Sequence, residues 1–289
     1  MVAERIGVFL PCLHQASVAA GMETAHELGF KLVQPGQFPG VEPARKEWQE
    51  LLSLAERHEL RVSALSAYQD FGNADGIKER IQLMKSCLDL ARELPSPIVI
   101  TEAGGTLFAD AEQRRQCWNT LVDAMRELCD YAANVGAYVA MEPGGAGLVA
   151  SVESMHELLS EVDNPHLKLN LDPANVVMFG SDPVQAAREL GQHVMHTHAK
   201  DGLFFYSVTP DEYKRVAGKF TTLEELGTLL GHDTAPAVEV PLGKGHVNWN
   251  DYVRALVDAG YAGPFIIERE TGDDPIGDIT HAKRFLETL

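Results

Sequence analysis

The chain has 289 residues, 45% of them hydrophobic, and a formal net charge of −18 from 24 Lys+Arg against 42 Asp+Glu. That length and apolar content support a large buried core, and so negative a surface repels phosphate backbones, which sets nucleic acid aside as a partner. No apolar run reaches the roughly 18 residues of a transmembrane helix, and the opening MVAERIGVFLPCLH reads as a first strand, not as a signal peptide, so a cytoplasmic protein without a membrane partner is expected.

In chain order, short apolar runs alternate with longer amphipathic ones. RIGVFL (5–10) precedes the helical pattern SVAAGMETAHELG, and KLVQPG (31–36) precedes PARKEWQELLSLAERHEL. RVSALSAY (61–68) is followed by IKERIQLMKSCLDLAREL, and IVITEAG (98–104) by DAEQRRQCWNTLVDAMRELCDYAANVG. In that last helix Asp110 and Gln113 resemble a capping box, and Gly136 is a stop. YVAMEPG (138–144) precedes a helix that Ser151 can cap, and LKLNLDPA (167–174) precedes one that Asp182 caps with Pro183 at its first position. HVMHTHAK (193–200) leads into a long connection, 202–248, holding FFY (204–206), a helical stretch at TLEELGTLL, and PLGKGHVNW. WNDYVRALVDAG, FIIERE (265–270) and DITHAKRFLETL complete the chain.

Eight β-then-α units in order imply a parallel sheet. Their number, in a chain without a break in composition, favours an α/β fold of one domain over 1–289, a closed (β/α)8 TIM barrel. An open doubly wound sheet is the alternative, but it usually carries a glycine-rich turn after its first strand, and FLPCLHQAS has no GxGxxG. The connection 202–248 is of the length often used for lids or binding loops. Cys12, Cys87, Cys117 and Cys129 form no CxxC and read as free thiols of a reducing compartment.

A barrel of this kind carries its active site at the C-terminal ends of its strands. There the chain places Glu102, Glu142 in AMEPGG, Asp172 in NLDPANV, His198 in HTHAKDG, and Glu268 followed by Glu270. Each follows an apolar stretch where an uncompensated charge is costly to bury. Carboxylates converging on one rim cannot all stay ionised without a cation. Glu142, Asp172, His198 and Glu268 therefore suggest one divalent metal ion: Mn²⁺, Mg²⁺, Co²⁺ or Zn²⁺. His196 shares the inward face of His198 one layer deeper and reads as support.

The motifs MEPGG, NLDPANV, HTHAKDG, VPLGKGHVNW and FIIERE, taken in order, resemble the xylose isomerase-like TIM barrels, the sugar phosphate isomerase/epimerase superfamily. Its members include ketose 3-epimerases, hydroxypyruvate isomerases, inosose dehydratases, 3-dehydroshikimate dehydratases and apurinic-site endonucleases. By position the resemblance puts the four metal ligands on Glu142, Asp172, His198 and Glu268. Family members often carry His three residues after the Asp; here Asn175 stands there, a poor ligand able to bind a substrate hydroxyl or a metal-bound water. The endonucleases use that His for a zinc cluster, so its absence and the negative charge argue against DNA repair. Lys200 and Asp201 match the family's KD pair; Lys200 either contacts substrate or balances a neighbouring strand-end acid. His246 occupies a position commonly acidic in the family, and Glu102 would face inward beside Glu142; both join Asn175 and Lys200 as candidate substrate-binding residues. Trp249 and Phe204–Tyr206 read as core or lid packing.

The resemblance implies a metal-dependent sugar or sugar-phosphate isomerase or epimerase, with Glu142 and Glu268 moving the proton next to a carbonyl. A dehydratase or lyase on a keto-sugar, keto-inositol or dehydroshikimate-like substrate is the alternative, and a non-catalytic carbohydrate-binding barrel a third reading. The partner in each case is a small carbohydrate; a homo-oligomer through the helical faces stays open. Neither GAGLV nor GKG forms a recognisable phosphate cradle.

Overall fold

The structure is a computed structural model that describes residues 2–36, 45–104, 110–144, 148–208, 212, 215, 216, 219 and 223–289. Its parallel strands are β1 (Ile6–Phe9), β2 (Leu32–Gln34), β3 (Arg61–Val62), β4 (Leu65–Ser66), β5 (Ile98–Glu102), β6 (Tyr138–Glu142), β7 (Leu167–Leu171), β8 (Val194–Ala199) and, after an antiparallel pair β9 (Asp201–Phe204) and β10 (Ala237–Val240), β11 (Phe265–Ile267). The helices are α1 (Val18–Glu27), α2 (Arg45–Arg57), α3 (Ile77–Ala91), α4 (Ala111–Val135), α5 (Val152–Val162), α6 (Pro173–Met178), α7 (Pro183–Leu190), α8 (Leu223–Leu230), α9 (Trp249–Asp258) and α10 (Pro275–Leu286).

The sheet runs β3-β2-β1-β11-β8-β7-β6-β5-β4, with the first strand beside the last. Its two ends are halves of one predicted strand, 61–68. Ser63 N–H still donates to the Val33 carbonyl of β2, and Ala67 N–H donates to the Ile100 carbonyl of β5. The strand changes partner between these points and so closes the barrel. Counting β3 and β4 as one, β8 is the seventh barrel strand and β11 the eighth.

The strands are apolar on both faces because helices cover the outside and side chains fill the inside. Ala64, Ile98, Ile100 and Ala140 fill the barrel interior with Tyr68 and Met195, apart from the larger core between strands and helices. Among buried residues, polarity gathers at the strand ends: Gln34, Ser66, Glu142, Asn170, Asp172, His196, His198, Lys200 and Glu268. Helix starts follow the capping chemistry read from the sequence. Asp110 accepts from Gln113 N–H, Ser151 and Ser154 form a capping box, and Asp182 accepts from Val184 N–H before its Pro. Gly136 ends α4 in the left-handed region, at φ 73°. Among the described residues no helix is long and apolar enough to cross a membrane.

Within 202–248 the chain forms more than a loop. β8 stops at Ala199, and β9 leaves the barrel to pair with β10, Asp201 opposite Val240. The pair lies against α6, where Met178 packs close to Gly202. Asp201 holds the return. Its buried carboxylate accepts from Gly202 N–H (2.9 Å), Gly243 N–H (2.9 Å), Gly245 N–H (3.1 Å), Val247 N–H (3.2 Å) and the Trp249 indole (3.1 Å). The turn must approach so closely that a Cβ on Gly245 would run into Asp201 and the Gly202 carbonyl.

Asp201→Ala strands several buried donors and should lower stability by about 3 kcal/mol. Urea unfolding measures the loss, and amide exchange at Gly243, Gly245 and Val247 should accelerate. A loss below about 1 kcal/mol with unchanged exchange would show that the turn does not depend on Asp201.

Candidate metal centre

Four neighbouring strands, in the order β6-β7-β8-β11, deliver one acidic or imidazole group each to the same end of the barrel. Glu142 is the last residue of β6, Asp172 follows β7, His198 lies near the end of β8, and Glu268 follows β11. All four are buried, and one ligand atom from each lies within 4.8 Å of the others. Glu142 Oε1 and Glu268 Oε2 meet the same His198 Nδ1, at 3.1 and 3.2 Å.

Asp172 divides its oxygens between two tasks. Oδ1 caps α6, accepting from Ala174 N–H (2.8 Å) and Asn175 N–H (3.1 Å). Oδ2 is buried without a hydrogen-bond partner. An orphaned carboxylate oxygen beside two more carboxylates and an imidazole is what a divalent cation would complete. The donor set of three oxygen ligands and one nitrogen fits such an ion without selecting one.

The electrostatics point the same way. Burial pushes Asp172 up to about 7, aided by Glu268 and Glu142 and opposed by Lys200. Burial pulls the His198 imidazole down, but Glu268 and Glu142 outweigh it and hold the ring well above its ordinary value. Burial also raises Glu268, and here His198 and Lys200 outweigh it and keep the carboxyl low. Protons on His198 and Asp172 thus do part of the neutralising that a cation would do.

A collar of neutral groups fixes the ligand orientations. Gln34 Oε1 accepts from His198 Nε2 (3.0 Å) while its amide donates to Ser66 Oγ (2.9 Å). The Asn170 amide donates to Glu142 Oε2 (2.9 Å), and its carbonyl oxygen faces His196 Nδ1 at 2.8 Å. Tyr68 O–H donates to the same Glu142 Oε2, at 2.9 Å. Burial and the neighbouring His198 hold His196 well below its ordinary value, so it stays neutral and serves as packing and support.

Residues 22–289 match the model of the xylose isomerase-like TIM barrels. The chain belongs to that family. Its relatives there include epimerases and dehydratases. A 3-dehydroshikimate dehydratase of Bacillus anthracis is 27% identical over 70% of this chain and 67% of its own length. An L-ribulose-5-phosphate 3-epimerase of Salmonella heidelberg is 22% identical over 91% of this chain and 86% of its own. A xylose isomerase-like TIM barrel protein from Mycobacterium smegmatis, solved in complex with magnesium, superposes with a TM-score of 0.73 at 17% identity, covering 100% of this chain and 97% of that one. That last likeness establishes the shared fold.

The remaining candidates from the sequence fall in different places within this family barrel. Asn175, in the first turn of α6, donates to Glu142 Oε1 at 3.4 Å. Lys200 is buried and ion-paired to Glu268 (3.2 Å), Glu270 and Glu239 (4.0 Å). Glu102 stands in register with Glu142 on the adjacent strand, and burial, Glu142 and Asp70 raise its carboxyl. His246 is exposed and joins the turn instead, its Nδ1 accepting from Phe204 N–H at 3.3 Å. Trp249 is buried, and Tyr206 hydrogen-bonds the Thr234 carbonyl with its ring stacked on His232. Sequence reasoning assigned no role to Gln34, Tyr68, Asn170 or the Asp201 anchor. Asn170 did carry a signal: it precedes Asp172 by two, as His196 precedes His198.

Binding a divalent ion should expel the proton that His198 carries and any on Asp172. At least about one proton should leave per ion near pH 7, and affinity should rise as pH rises through 7. The metal-free protein should show the opposite slope. Asp172 keeps a proton in the fold that the unfolded chain loses above its ordinary 3.8, so its contribution to stability falls from about pH 4 to about 7. The His198 contribution follows it down once the pH passes its ordinary 6.5. Titration calorimetry in buffers of different ionisation heat reads the proton count; a pH-independent affinity would contradict the centre. Asn170→Ala should weaken metal binding about 10- to 100-fold by freeing Glu142 and His196.

Proposed function

We propose that the protein is a divalent-metal-dependent isomerase or epimerase of a sugar-like polyhydroxy carbonyl compound, moving a proton at the carbon next to the carbonyl. The observation that carries this reading is the meeting of Glu142 and Glu268 at one point from strands three apart in the sheet. Two carboxylates approaching from separate strands can address opposite faces of one carbon. When bound, the ion would polarise the carbonyl and acidify the neighbouring C–H.

The protein's own groups hold the two carboxylates in different ways. Glu142 is tethered through Oε2 by Tyr68 and Asn170, which presents Oε1 to the centre. Glu268 is held through Oε2 by His198 and Lys200. One carboxylate takes the proton and the other returns one; return to the opposite face of the same carbon is epimerisation, and delivery to the former carbonyl carbon is isomerisation. Asn175 and Glu102 are placed to bind substrate hydroxyls on the rim beside Glu142. Their proximity to Glu142 supports this role, and the exposed position of His246 on the turn weighs against including it.

A dehydratase or lyase is the second reading, favoured by the Bacillus anthracis relative that works as a dehydratase. It uses the same centre and needs only one acid or base with a departing hydroxyl. A non-catalytic carbohydrate-binding barrel is disfavoured because the full ligand quartet is present.

Glu142→Gln and Glu268→Gln should each lower turnover about 10²- to 10⁴-fold in protein supplied with Mn²⁺. Deuterium incorporation from solvent into ketoses and keto-inositols follows the proton transfer directly, and chelation should abolish it. A product lighter by one water assigns the dehydratase instead. Full turnover in both variants would remove Glu142 and Glu268 from the chemistry.

A further inference from the structure

We propose that the barrel mouth takes an uncharged substrate, a free ketose or keto-inositol, and discriminates against sugar phosphates and carboxylate-bearing rings. This rests on the reading above, that the carbonyl of a small polyhydroxy compound binds at the quartet. Barrels that hold a phosphate commonly do so with backbone donors from the loops after the seventh and eighth strands, and with helix N-termini. Among the described residues, this chain's own carboxylates already fill those positions.

After the seventh strand, the glycine-rich turn is the natural cradle, yet Gly243, Gly245 and Val247 N–H all donate to Asp201. The turn is built around an internal anion. After the eighth strand, Glu270 N–H donates to Glu239 at 3.0 Å, and Gly277 N–H at the start of α10 donates to Asp274 at 3.0 Å. Among the described residues, the two buried cations of this rim are engaged as well, and Lys244 on the turn is exposed. Lys200 is held by Glu268, Glu270 and Glu239. Arg269 is held by Glu239 and Asp278, both at 2.8 Å. Glu102 adds another carboxyl in register with Glu142. Of the residues outside the described set, only Lys214 has a cationic side chain.

Three carboxylates around a divalent ion leave the centre negative, and Glu102 and Glu270 face any arriving group with the same sign. An anionic substituent would be repelled without gaining a donor. A hydroxyl needs only single hydrogen-bond partners, of the kind Asn175 and Glu102 offer.

The test is equilibrium binding to the Mn²⁺-loaded protein by calorimetry, using matched pairs: a free pentulose against its 5-phosphate, and a keto-inositol against dehydroshikimate. The neutral member should bind about tenfold tighter or better, and inorganic phosphate should not displace it. Glu270→Gln, at an exposed position, releases part of the hold on Lys200 and should narrow the ratio by improving the phosphate ester. Tighter binding of the phosphate ester or of dehydroshikimate by the unaltered protein overturns the proposal, as does displacement by phosphate or failure of every compound to bind. The binding ratio does not depend on turnover. If Glu142→Gln and Glu268→Gln kept full deuterium exchange, the proton-transfer reading would fall while the charge preference stood on binding alone.

Discussion

Glu142, Asp172 and Glu268 crowd around one imidazole, all buried at the mouth of a barrel, and like charges at that separation repel strongly where water is scarce. The rest of the mouth answers this constraint. His198 lies between Glu142 and Glu268, Lys200 also pairs with Glu268, and Asp172 carries a raised proton affinity with one oxygen unpartnered. A buried cluster of this kind is weak as a stabilising device, because removing charges from water costs more than imperfect pairing returns. Its persistence in the fold is better explained by a bound cation than by stability.

Rigidity comes from neutral groups placed one step back. Gln34 from β2, Tyr68 from the strand that closes the barrel, and Asn170 from β7 reach the quartet from different sides. Each satisfies a ligand atom not needed at the centre and so fixes where the remaining lone pair points. Asp172 does this for itself by capping α6 with one oxygen, which ties the ligand geometry to the start of a helix. The β9–β10 pair packs on that same helix, and Glu239 of β10 bonds Arg269, the residue after Glu268. The excursion after β8 therefore braces two of the four ligand-bearing segments.

Family membership and site chemistry answer different questions here. The family includes relatives that act as epimerases and as dehydratases, and the four-residue centre is compatible with the proton transfer that either reaction needs. At the rim this chain has Asn175 and Glu102 beside Glu142, and a described turn whose backbone donors are satisfied by Asp201.

Much was legible in the order of residues. Apolar runs such as IVITEAG and YVAMEPG end in acids because buried strands must be apolar until they reach the rim, and this local rule exposed all eight strands and the quartet together. Caps such as Ser151 and Asp182 were readable for the same reason: their chemistry lies within one turn. The sequence left open whether Lys200 meets substrate or acid, and the fold placed it against Glu268, Glu270 and Glu239. It placed His246 on the turn, gave Asp201 five donors from across the excursion, and brought Gln34 to a histidine 164 positions away. Periodicity and capping are set by neighbours in the chain. Contacts between strands depend on how the sheet closes and in what register, and only the packed barrel decides that.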